Sequence, residues 1–262
     1  MRGHIRSGPS TLLAPSILSP IEQFSWAVRQ AVPARRLQEC SYWIFRAETI
    51  TFVRVPQLID LIRLQREESS GLYLGRLLRT GQPPKGEKFL SAGAGFALDG
   101  VAVSELLREW EASCARDVKK VPFLRTAPDI ALTRCLKKVG IAPRSRRTAS
   151  GEHRFHPYTP MRSVQGMFDD WFKLYSRHAG EAATSDLKCC AADSVSFHYV
   201  EAPTARFLYD VLGDQARWRS ASDQEKAAAW PRDVGGYDRV PKAGVEANSV
   251  WTLLLDKLVP SK

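Results

Sequence analysis

The chain has 262 residues, 44% of them hydrophobic and 10% aromatic, with a formal net charge of +10. That is enough apolar material for a sizeable core, which excludes a wholly disordered chain. No apolar run reaches the ~18 residues that a membrane span needs, and no Lys/Arg-rich helix is interleaved with aromatics, so the basic charge does not point to nucleic acid.

Residues 1–21 read as a disordered leader rich in Ser, Pro and Arg, with the apolar stretch Thr11 to Ile21 broken by Pro15 and Pro20. Phe24, Ala27, Val28 and Ala31 recur at helical spacing and predict a helix over 22–31 that Pro33 ends. Tyr42-Trp43-Ile44-Phe45 is a short apolar run suited to a buried strand over 42–46. Pro56 opens an amphipathic helix to about residue 66 that buries Leu58, Ile59, Leu61 and Ile62. Gly71 to Leu78 and Phe89 to Leu98 predict two strands separated by the Pro-Pro-Lys-Gly turn at 83–86. Helices follow from about Val101 to Cys114 and from Asp129 to Val139, the second closed by Gly140.

Residues 142–154, with Arg144, Arg146, Arg147 and Arg154 among small polar residues, have the composition of a solvated loop. Ser194 to Val200 predicts a strand, and Pro203 opens a helix that Gly213 stops. The stretch 213–262 reads as a mostly irregular polar tail in which only Trp251 to Val259 looks able to pack. Strands alternating with helices predict an α/β fold with a mixed sheet. The five cysteines include no CxxC pair and no His at zinc spacing, so structural zinc is not expected. They are either reduced, or four of them pair in a secretory compartment.

Four segments, in order, carry a family resemblance. The stretch from Tyr42 to Val53 resembles one in which a Trp-Phe strand runs into Lys-Ala, three Asp and Thr-Tyr-Val. Ser91-Ala92-Gly93-Ala94-Gly95-Phe96-Ala97-Leu98 resembles Ser-Gly-Gly-Ala-Gly-Tyr-Val-Leu. Pro128-Asp129-Ile130-Ala131-Leu132-Thr133-Arg134-Cys135 resembles Glu-Asp-Leu-Ala-Leu-Gly-Arg-Cys. Cys189-Cys190 and Val195-Ser196-Phe197-His198-Tyr199-Val200 resemble Cys-Cys-Ser-Asp and Val-Ser-Phe-His-Tyr-Val. Phe155-His156-Pro157 also has a match. Together these segments resemble the fringe-like β1,3-glycosyltransferases, and among them the core 1 β1,3-galactosyltransferases.

The resemblance covers residues 22–212 and implies the C-terminal part of a glycosyltransferase-A-like domain, a mixed sheet flanked by helices, lacking its first βα units. The implied activity is inverting transfer of galactose from UDP-galactose to O-linked N-acetylgalactosamine on a glycoprotein. Mn²⁺ is the implied metal and the Golgi or endoplasmic-reticulum lumen the implied place, membrane-associated by resemblance although this chain shows no span. A homo- or heterodimer is expected on the same ground. The rival expectation is a non-catalytic chaperone or partner of a galactosyltransferase, because the three Asp positions read Glu48, Thr49 and Ile50, and Ile50 offers no oxygen to a cation.

The resemblance assigns Asp129 as general base, although a carboxylate at a helix start also suits capping. It assigns Glu48 and His198 as the remaining metal ligands, with a hydrogen-bonded core histidine as the alternative for His198. Gly93 and Gly95 would line the substrate cleft, where absent side chains let a sugar approach, or would merely bend a strand. Trp171 offers an aromatic face for sugar stacking, or a core packing residue. The resemblance implies that Cys114, Cys135, Cys189 and Cys190 form two disulfides, with the peripheral Cys40 left as a thiol. Adjacent cysteines in an extended chain point to opposite sides, so Cys189 and Cys190 are each expected to pair elsewhere.

Overall fold

The computed structural model describes Phe24 and residues 27–30, 42–65, 71–229 and 257–259. The leader, Cys40, the rest of the first helix and residues 230–256 lie outside the described residues.

Strand β1 (Trp43–Arg46) is followed by β2 (Phe52–Val53) and helix α1 (Val55–Gln65). The predicted strand from Gly71 to Leu78 is two strands, β3 (Tyr73–Gly75) and β4 (Leu77–Arg79). Phe89 to Leu98 likewise divides into β5 (Lys88–Leu90) and β6 (Phe96–Asp99). The two breaks have different causes, the first tertiary and the second local. Arg76 is buried between β3 and β4, where its guanidinium donates to Ser176 Oγ at 3.1 Å and to the Glu181 carbonyl at 3.0 Å. Gly95 takes φ +78°, which reverses the chain between β5 and β6. The four-stranded sheet runs β1–β6–β3–β7, where β7 is Pro143–Ser145. Only β3–β7 is parallel in it, so the sheet is mixed as the sequence predicts. The expected loop at 142–154 therefore contains an edge strand, hidden in the sequence by Pro and Arg, residues tolerated at an edge.

Helix α2 (Gly100–Glu109) is capped by Asp99, whose Oδ1 accepts from Ala102 N at 2.8 Å while Oδ2 accepts from Gly71 N at 2.8 Å. A π-helical turn (Trp110–Cys114) leads into α3 (Ala115–Lys120) and α4 (Pro122–Thr126). Helix α5 (Pro128–Lys138) buries Ile130, Leu132 and Leu136 and packs on α2 and β5, and the Cys114–Cys135 disulfide joins it to the π turn. Tyr73, Phe96, Leu98 and Leu106 belong to the core between these helices and the sheet.

A second sheet of three strands runs β2–β9–β8, with β8 at Phe155–His156 and β9 at Ser196–Phe197. Only these two residues of the predicted strand 194–200 pair as a strand, antiparallel to β2 and parallel to β8. Arg54, buried at the end of β2, donates to the carbonyls of Ala192 (2.8 Å) and Leu258 (3.4 Å). Burial lowers its pKa to about 10. Helices α6 (Pro160–Gln165) and α8 (Ala202–Gly213) share a core cluster with Phe197 of β9, whereas α7 (Asp170–His178) packs on β4. Past Gly213 the polar composition hides two further helices, α9 (Gln215–Ser220) and α10 (Asp223–Ala229). Trp218 of α9 is buried edge-on to Phe207 at 5.6 Å, and Leu258 and Val259 join the same cluster.

The cysteine expectation needs one correction. Cys114 and Cys135 are bonded, but Cys189 and Cys190 are bonded to each other, with Cα atoms 3.7 Å apart. The opposite-sides argument assumed an extended chain. Instead a 3₁₀ turn (Asp186–Lys188) runs into Cys189, whose φ of −64° and ψ of −44° are helical.

Three buried histidines are held neutral. Burial pushes His153 down to about 2 and His156 to about 3, and lowers His198 as well. The unfolded chain has histidines near pKa ~6.5, so below that pH it takes up protons that the fold refuses and stability falls. This loss is absent above pH ~6.5 and, for His156, continues down to about 3. His156 Nε2 lies 2.9 Å from Ser194 Oγ, a contact that a glutamine amide can keep. Between pH 6.5 and 4.5, wild type should therefore lose about 1 kcal/mol per pH unit relative to His156→Gln, read from urea midpoints. Parallel pH profiles for the two proteins would contradict the buried neutral state.

Candidate functional site

Two turns and the end of β9 meet at one place. The chain after β1 turns through Glu48 to Thr51, closed by Thr51 N donating to Glu48 O at 3.0 Å. The second turn holds Ala92, Gly93 and Gly95, closed by Gly95 N donating to Ala92 O at 3.0 Å. The β2–β9 register pairs Phe52 with Phe197, which sets Thr51 beside His198 one step further on.

Arg46 is the hub. Its Nη1 donates to the Ala92 carbonyl at 2.8 Å and to Glu48 Oε1 at 3.2 Å, and its guanidinium lies 5.9 Å from the Phe96 ring centre. Glu48 Oε2 lies 3.5 Å from His198 Nε2. On its other side the imidazole meets Thr51, with Nδ1 to Oγ1 at 3.1 Å, and Thr51 Oγ1 donates to the Gly93 carbonyl at 3.0 Å. Burial lowers the His198 pKa, Glu48 opposes that shift, and Arg46 adds to it.

Asp129 approaches the same hub from helix α5. It shares a cavity of about 20 Å³ with Arg46, Ala92, Phe24, Phe96 and Leu132. Its Oδ1 accepts from Ile130 N at 3.0 Å, and no side-chain cap bond is made by the N-cap residue Ala127. Burial raises the Asp129 pKa against the pull of backbone N–H groups and of Arg46. A raised pKa makes the carboxylate a stronger base once ionised.

Both glycines are required by close approach. A Cβ on Gly93 would stand 2.7 Å from His198 Cδ2, and one on Gly95 would stand 2.6 Å from Phe45 Cζ at a positive φ. Tyr199, directly after His198, takes φ +59°, an uncommon backbone state for a bulky residue. Glu48, Gly93, Asp129 and His198 are thus gathered around Arg46, with Gly95 in the same turn. Trp171 is not. It is half-exposed on α7, edge-on to Phe172 and Tyr175, and reaches His198 only through a row of rings, Phe172, Tyr158 and Tyr199.

Arg46, Thr51 and Tyr199 join the site without being marked by residue type in the sequence. Arg46 stands where the family motif has Lys, and Thr51 where it has Thr, so both lay in the quoted segment. Only the spatial meeting gives them a task.

The residues suit a divalent cation in a limited way. Glu48 Oε2 and His198 Nε2 face one another, and each ligand's other polar atom is held by an outer partner, Arg46 or Thr51. Ile50 is 40% exposed and offers no donor, and among the described residues no three metal-ligating side chains converge. A hard cation held by one or two protein ligands completes its shell with substrate phosphate oxygens and water. A second cavity, about 340 Å³ and lined by Phe52, Val53, Pro56, Tyr209 and Leu212 among others, lies elsewhere and lacks such a cluster.

Over 162 residues the chain is 20% identical to glycoprotein-N-acetylgalactosamine 3-beta-galactosyltransferase 1 of Xenopus laevis. The match covers 60% of this chain and 41% of that relative, so the chain spans about two fifths of the relative's length in a distant relationship. No family model matches the chain. Among the described residues, no helix is long and apolar enough to cross a membrane.

Gly93→Ala should displace the His198 ring and destabilise the fold by about 1–3 kcal/mol. Gly213→Ala, where nothing lies within 4 Å, serves as the control in the same urea titration. Equal midpoints for the two variants would contradict the close packing of Gly93 on His198.

Proposed function

We propose that this chain is a glycosyltransferase that moves galactose from UDP-galactose to the O-linked N-acetylgalactosamine of a glycoprotein, with inversion. The observation that carries this reading is the meeting of Asp129, Glu48, His198 and Gly93 around Arg46 from four separated segments. The distant relationship to a galactosyltransferase supports it.

In this reading the Asp129 carboxylate accepts the proton of the acceptor hydroxyl. That oxygen bonds to the sugar's anomeric carbon as the bond from that carbon to the diphosphate breaks. Glu48 and His198 would hold Mn²⁺, which when bound supplies positive charge to the diphosphate leaving group. Arg46 holds the Glu48 carboxylate in place and tempers the charge on Asp129. Gly93 and Gly95 keep the turn beside the hub narrow, and Trp171 gives the outer end of the ring row an exposed aromatic face for a sugar. Two disulfides among the described residues suit the Golgi or endoplasmic-reticulum lumen.

One observation favours a second reading, a non-catalytic partner of a galactosyltransferase. The cavity at Asp129 holds about 20 Å³, room for a water rather than a sugar hydroxyl and its ring. The two readings separate in one assay of the full chain with UDP-galactose, an N-acetylgalactosaminyl peptide and Mn²⁺. The transferase reading expects transfer that Asp129→Asn lowers by ~10²–10⁴-fold, because an amide cannot accept the proton. Full transfer by a folded Asp129→Asn protein would make Asp129 a structural residue. No transfer by wild type, together with stable association with an active galactosyltransferase, would establish the partner reading.

A further inference from the structure

We propose that Thr51 is a positioning residue that fixes the tautomer of His198, keeping the proton on Nδ1 and the lone pair of Nε2 turned toward Glu48. The Thr51 hydroxyl has one proton to give. The Gly93 carbonyl, 3.0 Å from Thr51 Oγ1, can only accept, so the threonine hydroxyl spends its one proton there. Thr51 Oγ1 is also 3.1 Å from His198 Nδ1. With its proton committed, the hydroxyl can only accept from the imidazole, so Nδ1 carries the N–H.

The competing tautomer is concrete. Nε2–H would donate to Glu48 Oε2, 3.5 Å away, and a bare Nδ1 would then take the Thr51 proton. That arrangement leaves the Gly93 carbonyl without its hydroxyl donor in a turn where Gly93 is packed against the same imidazole. Both arrangements share the β2–β9 register, which holds Thr51 beside His198 and within reach of Gly93 at once, so what separates them is whether the Gly93 carbonyl keeps its hydroxyl donor. With Nδ1 protonated, Nε2 and Glu48 Oε2 are two acceptors facing each other, an arrangement that a cation between them would satisfy. The purpose of the tautomer rests on the cation reading given above. Its geometry does not.

The test is the ring-nitrogen spectrum of the full, metal-free chain at pH 7.5, with the signal assigned by His198→Gln among the five histidines. Wild type and Thr51→Ser should show the Nδ1–H pattern. Thr51→Val, which keeps the shape and removes the hydroxyl, should shift His198 toward Nε2–H. An Nε2–H pattern in wild type overturns the proposal without any variant having to fold, and so does an unchanged tautomer in folded Thr51→Val. Titration with Mn²⁺ alone then reads the consequence: Thr51→Val should bind it ~10–100-fold more weakly than wild type, as outer-partner losses do, while Thr51→Ser should not. An Nδ1–H wild type that binds no Mn²⁺ would uphold Thr51 and count against the cation seat.

Discussion

The site depends on a two-residue strand. Ser196 and Phe197 are all of β9, yet they pair with β2 on one side and β8 on the other, and Ser196 Oγ donates to the Ala94 carbonyl. This ties the glycine turn, the turn after β1 and the end of β9 into one unit. Shifting β9 by one residue would turn His198 to the opposite face, since side chains alternate along a strand. Phe197 anchors the register: it is fully buried and its ring stacks on His156 at 4.4 Å.

The electrostatics follow from that assembly. Arg46 is the cation among Glu48 and Asp129, and the buried imidazole beside them is neutral. The hub therefore carries one positive and up to two negative charges. A diphosphate would meet no net positive charge unless a further cation entered with it, which is why the facing pair of Glu48 and His198 matters to the transferase reading. Thr49 and Ile50 offer a cation no carboxylate, while the outer partners of Glu48 and His198 are in place.

Much of this was legible in the sequence. The apolar runs at Trp43–Phe45 and Phe96–Leu98 marked β1 and β6, and the i, i+3 spacing of Leu58 and Leu61 marked α1. The divided strands were not legible, because Arg76 interrupts an apolar stretch through tertiary partners far along the chain, and the Ser91–Gly95 turn depends on the positive φ that Gly95 takes in the fold. The edge strand β7 was masked by its Pro and Arg, and α9 by a polar face that hides one buried Trp218. At the site, residue types could nominate Glu48, Asp129 and His198. They could not show that Arg46 would join them or that Thr51 would stand between Gly93 and His198, since those contacts span 46, 42 and 147 positions in sequence.

The central claim is that Glu48 and His198 act as one seat rather than as two separate buried polar residues. A double-mutant cycle on Mn²⁺ affinity, with Glu48→Gln, His198→Gln and the pair, measures that directly. If both side chains hold one cation, each single change should remove most of the binding and the double change should add little to either. Additive losses, or a wild-type chain with no saturable Mn²⁺ binding, would contradict the claim.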